Sequence, residues 1–271
     1  MKRCKKCGGT GVVFDRDIKN AGPGELMLCD CTVTKCSCGG IPPYQVFDSE
    51  GNHSWCDCRS ARLRLDATKK AFRESQIPRK YMWKFIDDFS TDFDDPTTTR
   101  IANKAIGTIG TISDKSFDDP WKGGFYLWGP AGSGKTLLAC IFLQELMLKF
   151  AKAGRFVDLS RQFFQRLKRS FDSTDASYGT SGRILEELIN VPFLVIDDFG
   201  VQRNTEWESE MLYNLIDSRY AEENTTIITS NTNIAEFKEV AKGRVYSRIL
   251  EMCTIIHVDL PDYREKLSQF I

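Results

Sequence analysis

The 271-residue chain has no net charge, since 37 Lys and Arg stand against 37 Asp and Glu. No global field therefore draws it onto nucleic acid or an anionic membrane, and any such contact must be a local patch. It lacks an apolar run approaching the roughly 20 residues that cross a bilayer. The N-terminus, Met1-Lys2-Arg3-Cys4-Lys5-Lys6, lacks the hydrophobic stretch of a secretory leader, so the expected location is the cytoplasm. Cytosolic thiols are held reduced, which argues against disulfides. Beyond Arg59 the chain is nearly without cysteine; Cys140 and Cys253 lie in apolar stretches and read as small core residues.

The other eight cysteines precede Arg59, as Cys4-x-x-Cys7, Cys29-x-Cys31, Cys36-x-Cys38 and Cys56-x-Cys58. Two thiolates a few residues apart grip one tetrahedral Zn²⁺ from a tight turn, and a second pair some twenty residues on completes the four ligands. An internal repeat indicates how the pairs combine. Cys7-Gly8-Gly9 runs on to Val13-Phe14-Asp15 and Leu28-Cys29-Asp30-Cys31; Cys38-Gly39-Gly40 runs on to Val46-Phe47-Asp48 and Trp55-Cys56-Asp57-Cys58. One zinc per copy pairs Cys4, Cys7, Cys29 and Cys31, then Cys36, Cys38, Cys56 and Cys58. A nested pairing stays open, because C-x-C is less diagnostic than C-x-x-C. His53, three residues before Cys56, reads as a solvated loop histidine and is left out of the set. Four thiolates leave a zinc no open position, so both sites are expected to be structural, each supplying on the order of 10 kcal/mol of apparent folding free energy. From Met1 to Phe85, Lys and Arg exceed Asp and Glu by seven. Two such zinc sites carry about two negative charges each and trim that excess to about three. The remaining basic surface is compatible with DNA, or is simply a solvated face.

A single motif dominates the rest of the chain. Gly129-Pro130-Ala131-Gly132-Ser133-Gly134-Lys135-Thr136 fits G-x-x-x-x-G-K-[ST] at every fixed position. Phe125 to Trp128 before it reads as a buried strand, and Leu137 to Lys149 after it as an apolar-periodic helix. In such a loop, glycines let successive N–H groups point at phosphate oxygens and the helix N-terminus adds partial positive charge. Lys135 is then expected to reach the β- and γ-phosphates of ATP, and Thr136 to ligate Mg²⁺.

Arg59 to Glu74 reads as an amphipathic helix ended by Pro78, followed by a helix from Thr98 to Ile109. Next come a strand at Arg155 to Asp158 and helices at Arg161 to Phe171 and Arg183 to Ile189. The apolar run Phe193 to Ile196 then ends in Asp197-Asp198, a buried strand with acid at its carboxyl end. Beside a phosphate loop, the first carboxylate suits Mg²⁺ and the second suits orientation of the attacking water. The strand Thr226 to Ser230 leads to Asn231, whose amide either senses the γ-phosphate or serves as a turn or cap. Strands alternating with helices, with polar chemistry at strand carboxyl ends, predict an open parallel α/β sheet. The predicted layout is a zinc-binding domain at 1–60, a helical linker at 61–122 and an ATPase domain at 123–271.

These segments together resemble a known family. Ile77-Pro78, Asp87-Asp88-Phe89, the phosphate loop, Val195 to Gly200, Thr205-Glu206-Trp207, Leu212-Tyr213-Asn214, Arg219-Tyr220 and Thr226 to Asn231 are similar to replicative helicase loaders of the DnaC/DnaI type. They equally resemble the sister ATPases, the IstB-type transposition helpers. Both are AAA+ ATPases, which implies a five-stranded parallel sheet in the order 5-1-4-3-2 and self-association. The resemblance implies that Arg244, with Arg248 as second choice, is an arginine finger completing a neighbouring subunit's site, and that Arg264 is the second sensor. It also places Arg161, Arg166, Lys168 and Arg169, interleaved with Phe163, Phe164 and Phe171, where loaders contact single-stranded DNA. Those rings either stack bases or belong to the core. The chain stops at Ile271, before a helical lid, from which weak ATP hydrolysis in isolation is expected.

The expected function is ATP-dependent loading of the replicative DNA helicase, with single-stranded DNA as a second partner. A transposition helper of the IstB type is the alternative, and a zinc-dependent DNA-binding regulator using the loop as a nucleotide sensor is a third. The cysteine-rich N-terminus favours the loader, and the acids Asp197 and Asp198 favour hydrolysis over sensing alone.

Overall fold

Five strands pair into one parallel sheet, and the central ones, buried along nearly their whole length, are covered on both faces. The computed structural model describes residues 4–16, 24–114, 123–159, 163–164, 180–200, 205–238 and 243–262. Strands β5 (Gly124–Trp128), β6 (Gly154–Asp158), β7 (Phe193–Phe199), β8 (Thr225–Ser230) and β9 (Cys253–His257) form a parallel sheet in the order β6-β7-β8-β5-β9. Numbered within the sheet, that is 5-1-4-3-2 read from the β9 edge, the order the resemblance implied. Alternate side chains feed two cores. Phe125, Leu127, Phe193, Val195 and Ile227 pack with Leu138, Phe142 and Leu146 of α4 (Lys135–Phe150). Tyr126, Leu194, Ile196 and Ile228 pack on the other face with Leu212, Leu215 and Ile216 of α6 (Glu206–Ala221), Leu188 of α5 (Thr180–Asn190), and Val245 and Ile249 of α7 (Arg244–Met252). Burying each such side chain contributes about 1.5–3 kcal/mol.

The cysteine-rich region repeats itself in three dimensions. Strand β1 (Val12–Asp15) pairs antiparallel with β2 (Glu25–Leu28), followed by the one-turn helix α1 (Asp30–Val33); β3 (Gln45–Phe47) pairs antiparallel with β4 (His53–Trp55). Helix α2 (Arg59–Glu74) has the predicted bounds and packs against the first hairpin, α4 and β6. Val12 and Leu26 of the first hairpin, Ala71 and Phe72 of α2, and Leu138 to Met147 of α4 belong to one hydrophobic cluster. Beyond α2, Ser75 O accepts from Phe156 N at 2.7 Å. That bond satisfies one backbone donor at the outer edge of β6. Helix α3 (Pro96–Asp114) runs longer than expected at both ends.

Arg219 is buried to 0% exposure although arginine is normally a surface residue. Its guanidinium donates to Thr226 Oγ1 at 2.9 Å, Thr225 O at 2.6 Å, and the carbonyls of Leu188, Ile189 and Val191 at 2.6, 3.0 and 2.8 Å. The last three lie at the C-terminus of α5, where carbonyls lack helical partners and the helix dipole favours a cation. Burial pulls the Arg219 pKa down to about 9. The residue thus ties α5, α6 and β8 together without a carboxylate.

Candidate functional site

The phosphate loop folds as its glycines dictate. Gly132 and Gly134 take φ of +77° and +88°, a region where a side chain is strained. Gly129 N donates to Ser230 O at 3.3 Å, joining the loop to the end of β8, and Leu138 N to Gly134 O at 2.9 Å starts α4. Lys135 Nζ donates to the carbonyls of Gly129 and Pro130, at 2.9 and 2.6 Å. The ammonium is therefore held inside the loop by groups that a phosphate oxygen can replace. Ser133 Oγ is buried with no hydrogen-bond partner among the described residues. A buried orphan hydroxyl costs about 1–3 kcal/mol and is accounted for when an acceptor or donor enters the loop. Together these features fit a polyphosphate. Two further segments line the loop: Asp262 leaves no room for a Cβ at Gly132, and Phe89 Cε2 lies 3.3 Å from where a Gly134 Cβ would stand.

The acids expected after the β7 run lie within the strand. Asp197 is in register with Asp158 of β6. Its Oδ1 accepts from Thr136 Oγ1 at 2.9 Å and from Thr229 Oγ1 at 2.6 Å. The expected metal ligands Thr136 and Asp197 are therefore in direct contact. Burial raises the Asp197 pKa from 3.8 to about 6, against the opposing pull of the two threonine hydroxyls; Asp198 and Asp158 push in the same direction as burial. A buried carboxylate short of positive charge, beside a phosphate loop, suits a divalent cation. Asp198 has φ of +57° and its N–H donates to Thr229 Oγ1 at 3.1 Å.

Asn231 is exposed immediately after Ser230, whose carbonyl anchors the loop. Arg244 and Arg248 share one face of α7, but their surroundings differ. Arg248 is half-buried, donates to Asp217 and Arg244 O, and lies over the rings of Tyr213 and Tyr220 at 5.2 and 5.7 Å. Arg244 is exposed, with its guanidinium 5.7 Å from the Tyr213 ring. Arg264 lies outside the described residues, as do Arg161, Arg166, Lys168, Arg169 and Phe171. Phe163 and Phe164 are core residues, 1% and 6% exposed. They pack edge-on with each other, and Phe164 with Trp207. Rings so enclosed have no face for a base, which corrects the stacking role considered for them.

The eight early cysteines form the two groups given by the repeat, Cys4, Cys7, Cys29, Cys31 and Cys36, Cys38, Cys56, Cys58, with sulfurs within 4.8 Å of one another in each. The close pairs, Cys4–Cys29, Cys7–Cys31, Cys36–Cys58 and Cys38–Cys58, are 3.8, 3.6, 3.6 and 3.5 Å apart. Four sulfurs about 2.3 Å from a tetrahedral zinc are about 3.8 Å apart, so the donor sets fit that ion. The nested pairing is excluded, and exposed His53 belongs to neither group. In the second group Arg62 Nε donates to Cys58 Sγ at 3.3 Å and Nη2 to Cys36 Sγ at 3.9 Å, offsetting part of the thiolate charge.

Three positions escaped the sequence reading. Asp158 ends β6 beside Asp197, and Thr229 bridges Asp197 and Asp198, as given above. Gln144, buried on α4, accepts from Trp83 N at 2.6 Å and donates to Tyr81 O and Lys84 O at 3.0 and 2.9 Å. It fixes the turn leading to Phe89. A glutamine within the largely apolar run Leu137 to Leu148 of that helix was the available signal for that role.

The family model described as IstB-like ATP binding protein matches residues 69–269. The replicative helicase loader DnaC of Escherichia coli (strain K12) is 28% identical over 125 residues, 46% of this chain and 49% of DnaC. The chain thus spans about half the length of the curated relatives it matches. Among solved structures, the DnaC helicase loader superposes with a TM-score of 0.55 at 26% identity, covering 66% of this chain and 99% of the other. The crystal structure of DnaI gives 0.54 at 21% identity, covering 72% and 98%, a likeness of fold. No helix among the described residues is long and apolar enough to cross a membrane.

Proposed function

Because the chain belongs to the family of IstB-like ATP binding proteins, we propose that it binds and hydrolyses Mg²⁺·ATP to load a replicative DNA helicase. The observation that carries the proposal is the convergence of Lys135, Thr136 and Asp197 at the carboxyl ends of β5 and β7. In this reading, loop N–H groups from Gly129 to Gly134 and the Lys135 ammonium hold the phosphates. Thr136 and Asp197 would hold magnesium, which would supply charge neutralisation for the transferring phosphoryl group. Asp198 orients the water, Asn231 senses its position, and Arg244 enters a neighbour's site. Asp262 stands against the phosphate loop, and Arg264 is taken as the second sensor. Zinc at each cysteine group gives the N-terminal region a rigid face for the helicase. Single-stranded DNA is the second partner, met by the cations of 161–169.

Two tests follow. Lys135→Ala is expected to weaken ATP binding on the order of 100-fold, the loss of a charge-assisted contact worth about 3 kcal/mol. Unchanged affinity by titration calorimetry would remove the nucleotide assignment. Elemental analysis is expected to return two zinc ions per chain, falling to one when Cys7→Ser or Cys58→Ser opens either group; fewer than one in the unmodified protein overturns the zinc reading.

The transposition-helper reading keeps specific support in the description of the matched family. A pull-down with the host's replicative helicase separates the two: retention on the helicase supports loading, and retention on a transposase instead supports the alternative.

A further inference from the structure

In a regular strand, consecutive side chains point to opposite faces, so Asp197 and Asp198 could not both serve one site. The pairing of β7 with β8 breaks at this place. Ile196 is opposite Ile228 and Phe199 is opposite Ser230, so two residues of β7, Asp197 and Asp198, face one residue of β8, Thr229. Such a bulge leaves a backbone group without its ladder partner and re-aims the side chains beside it. Here Asp198 takes the left-handed conformation, costly for a residue with a Cβ and held only where the surroundings fix it. Thr229 supplies that restraint with one buried hydroxyl, 1% exposed as a residue. Its oxygen accepts the Asp198 N–H at 3.1 Å, and its proton goes to Asp197 Oδ1 at 2.6 Å.

Resting on the ATPase reading above, we infer that Thr229 is a positioning residue: it closes the β7 bulge and fixes Asp197 and Asp198 in the orientations that metal binding and water orientation require. It touches neither phosphate nor water in this role. Valine keeps the shape of threonine but offers neither donor nor acceptor; serine keeps both. Removing a partner that orients a metal ligand lowers metal affinity or activity by about 10- to 100-fold.

The experiment compares Thr229→Val, Thr229→Ala and Thr229→Ser with the unmodified full-length protein. Mn²⁺ binding in the presence of ATP is followed by electron paramagnetic resonance, ATP binding without metal by calorimetry, and Mg²⁺-dependent turnover separately. The expected result is Mn²⁺ affinity and turnover down about 10- to 100-fold in the valine and alanine variants. Metal-free ATP affinity is expected to be unchanged in them, with the serine variant within about threefold of the parent on all three measurements. If valine and alanine bind Mn²⁺ like the parent, Thr229 does not position the acids; if serine is as damaged as they are, it acts through packing alone; either result overturns the inference. If valine does not fold, the alanine and serine variants decide in the same way. A parent protein that binds no Mn²⁺·ATP sinks the ATPase reading instead, a distinct outcome.

Discussion

Replacing Arg244 by alanine is expected to leave ATP affinity within about twofold and lower turnover of the assembled protein on the order of 10³-fold, the effect of losing an arginine supplied to the transferring phosphoryl group. The argument starts from the difference between the two arginines of α7. Arg248 is engaged within its own chain, by Asp217 and two tyrosine rings, so Arg248→Ala is expected to loosen the α6–α7 contact. Arg244 is exposed, with its guanidinium 5.7 Å from the Tyr213 ring, which leaves it accessible to a phosphate from outside its own chain. A mixing experiment checks the geometry directly. Arg244→Ala supplies an intact site without a finger, and Lys135→Ala a finger without a working site. Turnover recovered on mixing the two inactive variants places the finger in trans. A mixture as inactive as its parts, with Arg248→Ala also inactive at normal stability, moves the role to Arg248.

What was legible in the sequence was whatever a short stretch of backbone decides by itself. The phosphate loop needs only its glycines, Lys135 and Thr136, so the motif fixes the local geometry wherever the strand and helix flank it. The cysteine pairing was legible because the repeat aligns Cys7 with Cys38 and Cys29-x-Cys31 with Cys56-x-Cys58, and each copy closes on itself. The role of Thr229 was not, since it arises from the register of β7 against β8, a pairing between segments about 30 residues apart whose slip of one residue no local pattern announces. The burial of Arg219 was hidden for a similar reason: its acceptors come from α5 and β8. Phe163 and Phe164 show the opposite failure. Aromatic residues between cations fit both a stacking platform and an amphipathic core face, and only the neighbour Trp207 decides between them.

Asp197→Asn is expected to do two things at once: abolish Mg²⁺-dependent turnover, by on the order of 10³-fold or more with the loss of several kcal/mol of metal stabilisation, and stabilise the metal-free protein. The second effect follows from the sign of the pKa change. The folded-state value is raised, from 3.8 to about 6, chiefly by burial. Below pH 3.8 the carboxyl is protonated whether the chain is folded or not, and it carries no penalty. As pH rises through about 6 the folded protein must ionise a group that burial disfavours, and it loses about 3 kcal/mol relative to the neutral form. Asparagine keeps an oxygen to accept from Thr136 and Thr229 but never ionises. Thermal unfolding without metal is therefore expected to show the variant melting several degrees higher at pH 8, the gap closing toward pH 4. Saturating Mg²⁺·ATP reverses the order, because only the carboxylate gains from the cation. A variant that melts lower than the parent at pH 8 without metal would mean that the ionised carboxylate stabilises the fold itself, and that its burial beside the phosphate loop is not a reserve held for a metal.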